Sequence, residues 1–230
     1  MKALVFCAHA DDEVIGIGGV IRKLANAGAL VRLVMFSEGA EGYARLEQKH
    51  TIVQRRHDET LKVCDILGIK EYFNLHLLDW NLTVCNETYR AVVGHIREFQ
   101  PDVVFTHIRA DYNDHMAVHD VVTEGWFHAA LPCAMGKDPV WKHVPLYEFE
   151  VLQAMAAPSV VVDVTDTLEA KLEAMRVYES QHDHVGSIFQ LMEGRAKERG
   201  YLIGARYGEA LLRSHYRPRA VRDVAELAGM

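Results

Sequence analysis

The stretch that decides the fold is ALVFC at residues 3–7, followed by AHADDE at residues 8–13. Five apolar residues bounded by polar ones predict a buried strand, and VIGIGGVI at residues 14–21 predicts a glycine-rich helix after it. The polar hexapeptide is therefore a strand-to-helix loop. In an open α/β sheet, such loops at the carboxyl ends of strands form the ligand crevice. The sequence thus predicts an imidazole and three carboxylates where a ligand binds.

His9 and Asp12 lie three residues apart in this loop, a spacing that lets both side chains bind one metal ion from a single turn. The intervening Asp11 would then lie close to a water carried by the metal. This arrangement favours hydrolysis over metal storage. The alternative is that the acids only favour a helix start, which accounts for one carboxylate better than for three in succession behind a histidine. A dinucleotide site is rejected because its glycines precede the helix, whereas here they follow the acids.

The chain of 230 residues, 50% of them hydrophobic, can bury the core of a single domain spanning residues 1–230. Its formal net charge of −7 argues against a nucleic-acid surface, which normally shows clustered Lys and Arg. The four cysteines include no CxxC pair, so a thiolate zinc site is not expected. The chain begins without a signal-type leader, and no stretch approaches eighteen apolar residues. We therefore predict a cytoplasmic protein without a membrane span.

Strand and helix patterns alternate along the chain. A helix that stops near Gly28 precedes a second buried strand at residues 30–36, and a strand–helix–strand unit implies a right-handed parallel crossover. Later apolar runs predict strands at residues 72–75, 103–106, 146–152 and 159–164. Further helices are predicted at residues 46–67, 87–99, 168–181 and, with glycine interruptions, 188–215. This order is typical of an α/β protein with a parallel sheet.

A second polar cluster, HIRADYNDHMAVH at residues 107–119, follows the predicted strand at residues 103–106. Like the first cluster, it lies at the carboxyl end of a strand, so the two loops can meet across the switch point of the sheet. His115 and His119 are four residues apart on a predicted helix and share one face. His9, Asp12 and one histidine of this loop would give the three-ligand, open-position pattern of a catalytic zinc site.

Three other groups have ordinary interpretations. Arg56 and Glu59 lie one helical turn apart, which is typical of a weak surface pair. Asp79 follows the strand at residues 72–75, where it either caps a turn or lines the pocket. His182 and His184 end a predicted helix, where histidine commonly compensates the helix dipole.

The loop at residues 8–13 resembles the A-H-P-D-D-E signature of the LmbE-like or PIG-L-like zinc N-deacetylases, with Ala10 in place of the usual proline. The other matching segments are Arg56-x-x-Glu59, PDVVFTH at residues 101–107, DH at 114–115, ESQ at 179–181 and YGEA at 207–210. They span most of the chain. The resemblance implies one α/β domain with a Rossmann-like, mostly parallel sheet and helices on both faces.

The resemblance also implies roles for individual residues. His9, Asp12 and His115 would bind Zn²⁺, Asp11 would act as general base, and Arg56 would help to hold the substrate. The exchange to Ala10 is mild, because that residue is only a spacer between a ligand and the base.

One departure from the family pattern concerns the reaction itself. Many members read H-x-D-H, whereas this chain reads YNDH at residues 112–115, so the first histidine is missing. That histidine is credited with stabilising the oxyanion or protonating the amine. We expect Tyr112 or His107 to replace it, because the loop that carries His115 fixes their distance from the metal. The more distant His182 and His184 rank below them. The alternative is that Tyr112 only packs and His107 only bonds the backbone.

The function implied by the resemblance is zinc-dependent hydrolysis of an N-acetyl amide on an amino sugar or sugar conjugate. Arg56 and Asp79 are expected to bind this small N-acetylated substrate, since both can hydrogen-bond hydroxyl groups. Two alternatives remain: a non-catalytic metal-binding protein of the same fold, and an amidase acting on a non-sugar N-acyl metabolite. No nucleic-acid partner is expected, and assembly into a homo-oligomer is left open.

Overall fold

The structure is a computed structural model that describes residues 1–132, 139–182 and 186–216. Within these ranges seven strands form one sheet in the order β3-β2-β1-β4-β5-β7-β6. The strands are β1 Lys2–Cys7, β2 Leu30–Ser37, β3 Glu71–Leu77, β4 Val103–His107, β5 Leu146–Phe149, β6 Val160–Asp163 and β7 Gly208–Arg213. The helices are α1 Asp12–Asn26, α2 Ile52–Leu67, α3 Asn86–Phe99, α4 Asn113–Ala129, α5 Leu168–Val177, α6 Glu179–His182 and α7 Ile188–Tyr201.

Helices cover both faces of the sheet, as predicted. Alternate residues of β1 belong to two separate apolar clusters, as the two-residue period of a strand requires. Val5 packs in the cluster that includes residues of α1, α2, α5 and α7, whereas Phe6 packs with residues of α3 and α4. A strand buried on both faces reads as a continuous apolar run, which is why residues 3–7 indicated the fold.

The order of the strands brings the two polar loops together. β1 pairs in parallel with both β2 and β4, while the chain moves from β1 to β2 and β3 on one side and continues from β4 to β5 on the other. The loops after β1 and β4 therefore lie side by side at the switch point, where the chain connections leave in opposite directions and α/β proteins bind their ligands. The predicted mostly parallel Rossmann-like sheet is confirmed.

The prediction for the C-terminal part was wrong. Residues 188–215 were expected to be helical, but α7 ends at Tyr201, and β7 runs antiparallel to both β5 and β6. Tertiary contacts override the helix propensity of ALL at residues 210–212. Leu211 is buried in the core, and the carboxylate of Glu209 accepts the N–H groups of Gly19 and Val20 in α1 at 3.0 and 2.7 Å.

Several element boundaries also differ from the prediction. The helix expected at residues 46–67 begins at Ile52 after a short 3-10 turn, and the one expected at residues 168–181 is divided into α5 and α6. The strand expected at residues 146–152 ends at Phe149. Residues 150–152 instead belong to the loop beside the site. There the carboxylate of Asp111 accepts the N–H groups of Leu152 and Gln153. Among the described residues, no helix is long and apolar enough to cross a membrane.

Candidate metal centre

The loops after β1 and β4 bring His9, Asp12 and His115 together at the carboxyl ends of these two central strands. One potential ligand atom of each residue lies within 4.8 Å of those of the other two, and all three residues are buried. His9 lies in the loop after β1, Asp12 begins α1, and His115 lies in the first turn of α4. This arrangement could hold a metal ion. The three residues are the ligand set that the resemblance implied.

A carboxylate orients each of the two histidines. Asp114 Oδ2 lies 3.0 Å from His9 Nε2, and Asp111 Oδ2 lies 3.0 Å from His115 Nδ1. The other ring nitrogens remain for a metal: His9 Nδ1 is 3.7 Å and His115 Nε2 is 3.2 Å from carboxylate oxygens of Asp12. Such carboxylate–histidine pairs usually hold metal ligands in place.

One ring nitrogen of the three candidate ligands has no hydrogen-bond partner within the described residues, as expected for an atom that binds a metal. His115 Nε2 is buried and forms no hydrogen bond within the described residues. A buried polar atom without a partner is rare and costs free energy. Two imidazole nitrogens and one carboxylate, with space for a fourth ligand, are typical of catalytic zinc sites. The residues present therefore fit a divalent cation of this kind.

The electrostatics of the group favour positive charge at its centre. Burial opposes the ionised form of Asp12, but His115 and His107 hold the pKa of its carboxyl well below the usual range. Burial also opposes the charged form of His115, yet Asp12 and Asp111 raise its pKa to about 10. The ligands would lose protons when a metal binds. A cation would then take the place of the proton on His115.

Asp11 lies beside the three candidate ligands and differs from them in its backbone conformation and in its hydrogen bonding. Its φ of +111° is in a region that non-glycine residues rarely adopt. Within the described residues its carboxylate makes no hydrogen bond, and it lines the pocket. Burial and the neighbouring charge of Asp12 raise the pKa of Asp11 well above the usual range. A strained, uncommitted carboxylate with a raised pKa is suited to accept a proton.

A pocket of about 90 Å³ opens onto this group. Arg56 enters it from α2 and donates a 2.6 Å hydrogen bond to the carbonyl oxygen of Ala10. A Cβ atom on Gly42 would collide with the guanidinium, so a larger residue there would displace Arg56 from this position. The interpretation of Arg56 and Glu59 as a surface pair was wrong. Both are buried, and Glu59 instead accepts hydrogen bonds from the N–H and hydroxyl of Ser180.

Asp79, a predicted substrate-binding residue, also lines the pocket. Its carboxylate already accepts hydrogen bonds from the Ser37 hydroxyl and, at 2.6 Å, from the N–H of Glu41. It also lies 3.9 Å from His9 Nε2. Asp79 therefore joins the loops after β2 and β3 beside the metal group, and its contact with substrate stays a prediction.

The two candidates for the missing histidine occupy different positions. The Tyr112 hydroxyl lies 3.4 Å from His9 Nδ1, and its ring, which is 41% exposed, lines the pocket. His107 is 1% exposed behind His115, where its Nε2 accepts the N–H of Ala8 at 2.9 Å. Burial and the nearby His115 lower the pKa of His107 to about 3, so it stays neutral. The position of His107 does not support the predicted contact with substrate and matches the alternative of a backbone-bonded histidine.

Of the two distal candidates, the structure describes only His182, whose contacts lie outside the pocket. His182 Nε2 lies 3.1 Å from the carbonyl oxygen of Met175, and its ring packs against Phe189. His184 lies outside the described residues. Sequence reasoning missed Trp80 and Leu152, which also line the pocket. Trp80 directly follows Asp79 and could have been noticed, whereas nothing local indicated Leu152.

The comparisons with known proteins agree with this site. Residues 4–126 match the profile of the family described as PIG-L: GlcNAc-PI de-N-acetylase. The match covers more than half of the 230 residues and includes all three candidate ligands. The chain belongs to the PIG-L family.

Individual relatives include more than one kind of enzyme. The chain is 28% identical to diacetylchitobiose deacetylase of Thermococcus kodakarensis over 227 residues, which cover 91% of this chain and 82% of that protein. It is 29% identical to 4-oxalmesaconate hydratase of Pseudomonas putida, covering 78% and 74%. A solved structure of N,N'-diacetylchitobiose deacetylase from Pyrococcus horikoshii matches with a TM-score of 0.86 and 27% identity, covering 98% and 88%.

Proposed function

We propose that this protein is a zinc-dependent N-deacetylase that removes the acetyl group from an amino sugar or sugar conjugate. The observation that carries the proposal is the position of Asp11, an uncommitted carboxylate beside the His9-Asp12-His115 group and on the wall of one pocket. Membership of the PIG-L family and the likeness to two diacetylchitobiose deacetylases support the same chemistry.

The chain's own residues divide the reaction between them. Zinc held by His9, Asp12 and His115 would polarise the acetyl carbonyl and lower the pKa of a water towards about 7. Asp11 would accept a proton from the attacking water as a general base and return it to the departing amine nitrogen as a general acid. The Tyr112 hydroxyl donates a hydrogen bond to the oxygen on which negative charge develops.

The charge of the pocket favours a neutral substrate over an anionic one. Its lining carries four acidic residues, Asp11, Asp12, Glu41 and Asp79, against Arg56 and the two positive charges of a bound zinc ion, so the balance stays negative. A polycarboxylate of the kind named for the hydratase relative would be repelled by the acidic residues. A neutral N-acetyl sugar is not. We therefore favour amide hydrolysis over hydration for this chain.

The assay that tests the proposal measures acetate release by the zinc-loaded protein from N-acetylated sugars, N-acetyl amino acids and esters. We expect release from sugar-type substrates. Asp11→Asn should keep its zinc yet lose about 10² to 10⁴ in turnover, because an amide cannot accept the proton.

The panel separates this proposal from its alternatives. Activity confined to amino-acid amides or esters would contradict the sugar assignment. Bound zinc without acetate release from any compound would favour the non-catalytic metal-binding protein. The identity of the metal as zinc, the cytoplasmic location and any homo-oligomer stay predictions.

A further inference from the structure

Trp80 is an aromatic residue on the wall of the pocket that the proposed reaction does not use. It is 74% exposed, although it lines the same pocket as Asp79 and Tyr112. Within residues 1–132, 139–182 and 186–216, its indole makes no hydrogen bond or ring contact. Large apolar rings normally become buried when they can. The indole therefore has an open face directed at whatever enters the pocket.

The backbone of Trp80 is fixed to the candidate metal centre. Its N–H donates a 2.7 Å hydrogen bond to Asp114 Oδ2, the oxygen that also lies 3.0 Å from His9 Nε2. Its φ of +61° is in the left-handed region, which is strained for a residue with a large side chain. The neighbouring Asp79 is held by Ser37 and Glu41. These bonds maintain the strained turn, so Trp80 keeps a defined place relative to His9.

The size of the pocket requires contacts outside it. At about 90 Å³ it is well below the roughly 300 to 1,000 Å³ of common ligand pockets. An acetamido group fits, but most of a sugar conjugate must lie against the rim. Three exposed side chains form that rim: Trp80, Tyr112 at 41% exposure and Leu152 at 43%.

We propose that Trp80 is a specificity-determining residue, whose indole face stacks on the substrate ring next to the acetylated sugar. This inference rests on the proposed deacetylase function. An indole combines a flat apolar face with one N–H donor, which suits a sugar ring with apolar C–H faces and hydroxyl edges. Because Trp80 lines the pocket itself, a molecule that binds in the pocket is the partner that the geometry favours for the indole.

The test compares Trp80→Gly with Leu78→Ala on two substrates, N,N'-diacetylchitobiose and N-acetylglucosamine. Glycine adopts the positive φ without strain and keeps the N–H bond to Asp114, so only the ring is lost. Leu78 is a matched control, since it is 58% exposed in the same turn but does not line the pocket. We expect Trp80→Gly to lose about tenfold or more in kcat/KM for the disaccharide. The monosaccharide and the Leu78→Ala variant should show little change.

A binding measurement keeps this inference separate from the proposed function. Diacetylchitobiose added to zinc-loaded Asp11→Asn protein, which binds without turnover, should change its tryptophan fluorescence, whereas the double variant with Trp80→Gly should show no such change. If the wild type releases no acetate from any sugar, the proposed function fails, and this titration alone decides the role of Trp80. Equal losses on both substrates, the absence of any Trp80-dependent signal, or a change in oligomeric state in Trp80→Gly would overturn the inference.

Discussion

His115 and His119 occupy the same face of α4, one turn apart, and each lies among carboxylates, yet the two environments differ in kind. His115 is 1% exposed, and its Nε2 forms no hydrogen bond within the described residues but lies 3.2 Å from Asp12, the carboxylate that also approaches His9. His119 has both nitrogens paired, with Asp120 at 2.8 Å and Glu148 at 3.4 Å. Their four-residue spacing on one helix gives no basis for choosing one of these histidines over the other. The carboxylate that each Nε2 faces distinguishes the two histidines: Asp12 belongs to the candidate metal group with His9, whereas Glu148 belongs to no such group within the described residues.

Removing each imidazole in turn is the strongest test of this difference. His115→Ala deletes one of three candidate ligands, so we expect nearly complete loss of bound zinc and of deacetylase activity. His119→Ala should keep both, because its nitrogens are already paired away from the site. Elemental analysis of the two purified variants gives the answer. Full zinc occupancy in His115→Ala would remove that residue from the ligand set.

Tyr112→Phe separates metal binding from the chemistry beside His115. The rings of Tyr112 and His115 are 4.3 Å apart, and the hydroxyl lies 3.4 Å from His9 Nδ1. Loss of a donor to a developing negative charge costs about 10² to 10³ in turnover. We expect a fall of this size at unchanged zinc content, measured on the best substrate of the panel. Unchanged turnover would mean that Tyr112 only packs.

The carboxylates that hold the two histidines provide a matched pair of smaller changes. Asp111 lies 3.0 Å from His115 Nδ1, and Asp120 lies 2.8 Å from His119 Nδ1. Loss of a carboxylate behind a metal ligand costs about 10- to 100-fold in metal affinity. We expect Asp111→Asn to weaken zinc binding by this factor in a chelator competition, and Asp120→Asn to leave it unchanged. Equal zinc affinities in both variants would argue that His115 needs no such support.

The same contrast shows how far the sequence alone could lead. The three-residue spacing of His9 and Asp12 is local, and the apolar run of β1 placed it at a strand end, so both were predictable. Helical spacing alone did not choose His115 over His119, and the resemblance chose His115 through the DH pair at residues 114–115. The pairing of His119 with Glu148 was not predictable, because β5 brings Glu148 from a distant part of the chain.

Two other features, the strand at Leu211 and the position of Leu152, could not be predicted from the sequence for a related reason. Leu211 in β7 reads as helix and becomes strand only because β5 and β6 pair with it. Leu152 reaches the rim of the pocket only because Asp111, some 40 positions earlier, accepts its N–H. Local spacing predicts what one loop does, whereas pairing between distant segments decides which side chains complete the site.

The smallest effect expected concerns the charge on His119. Burial lowers its pKa, but hydrogen bonds to Glu148 and Asp120 outweigh this and raise the pKa above its ordinary value of about 6.5. A raised folded-state pKa stabilises the fold fully below the unfolded value, and this stabilisation is lost as the pH rises through the folded value. Urea unfolding of zinc-loaded wild type and His119→Gln should therefore differ by about 1 kcal/mol or less at low pH. The difference should shrink as the pH rises. A difference that stays constant between about pH 5 and 8 would mean that folding leaves the pKa of His119 unchanged, so that its two carboxylates do not stabilise the charged imidazole.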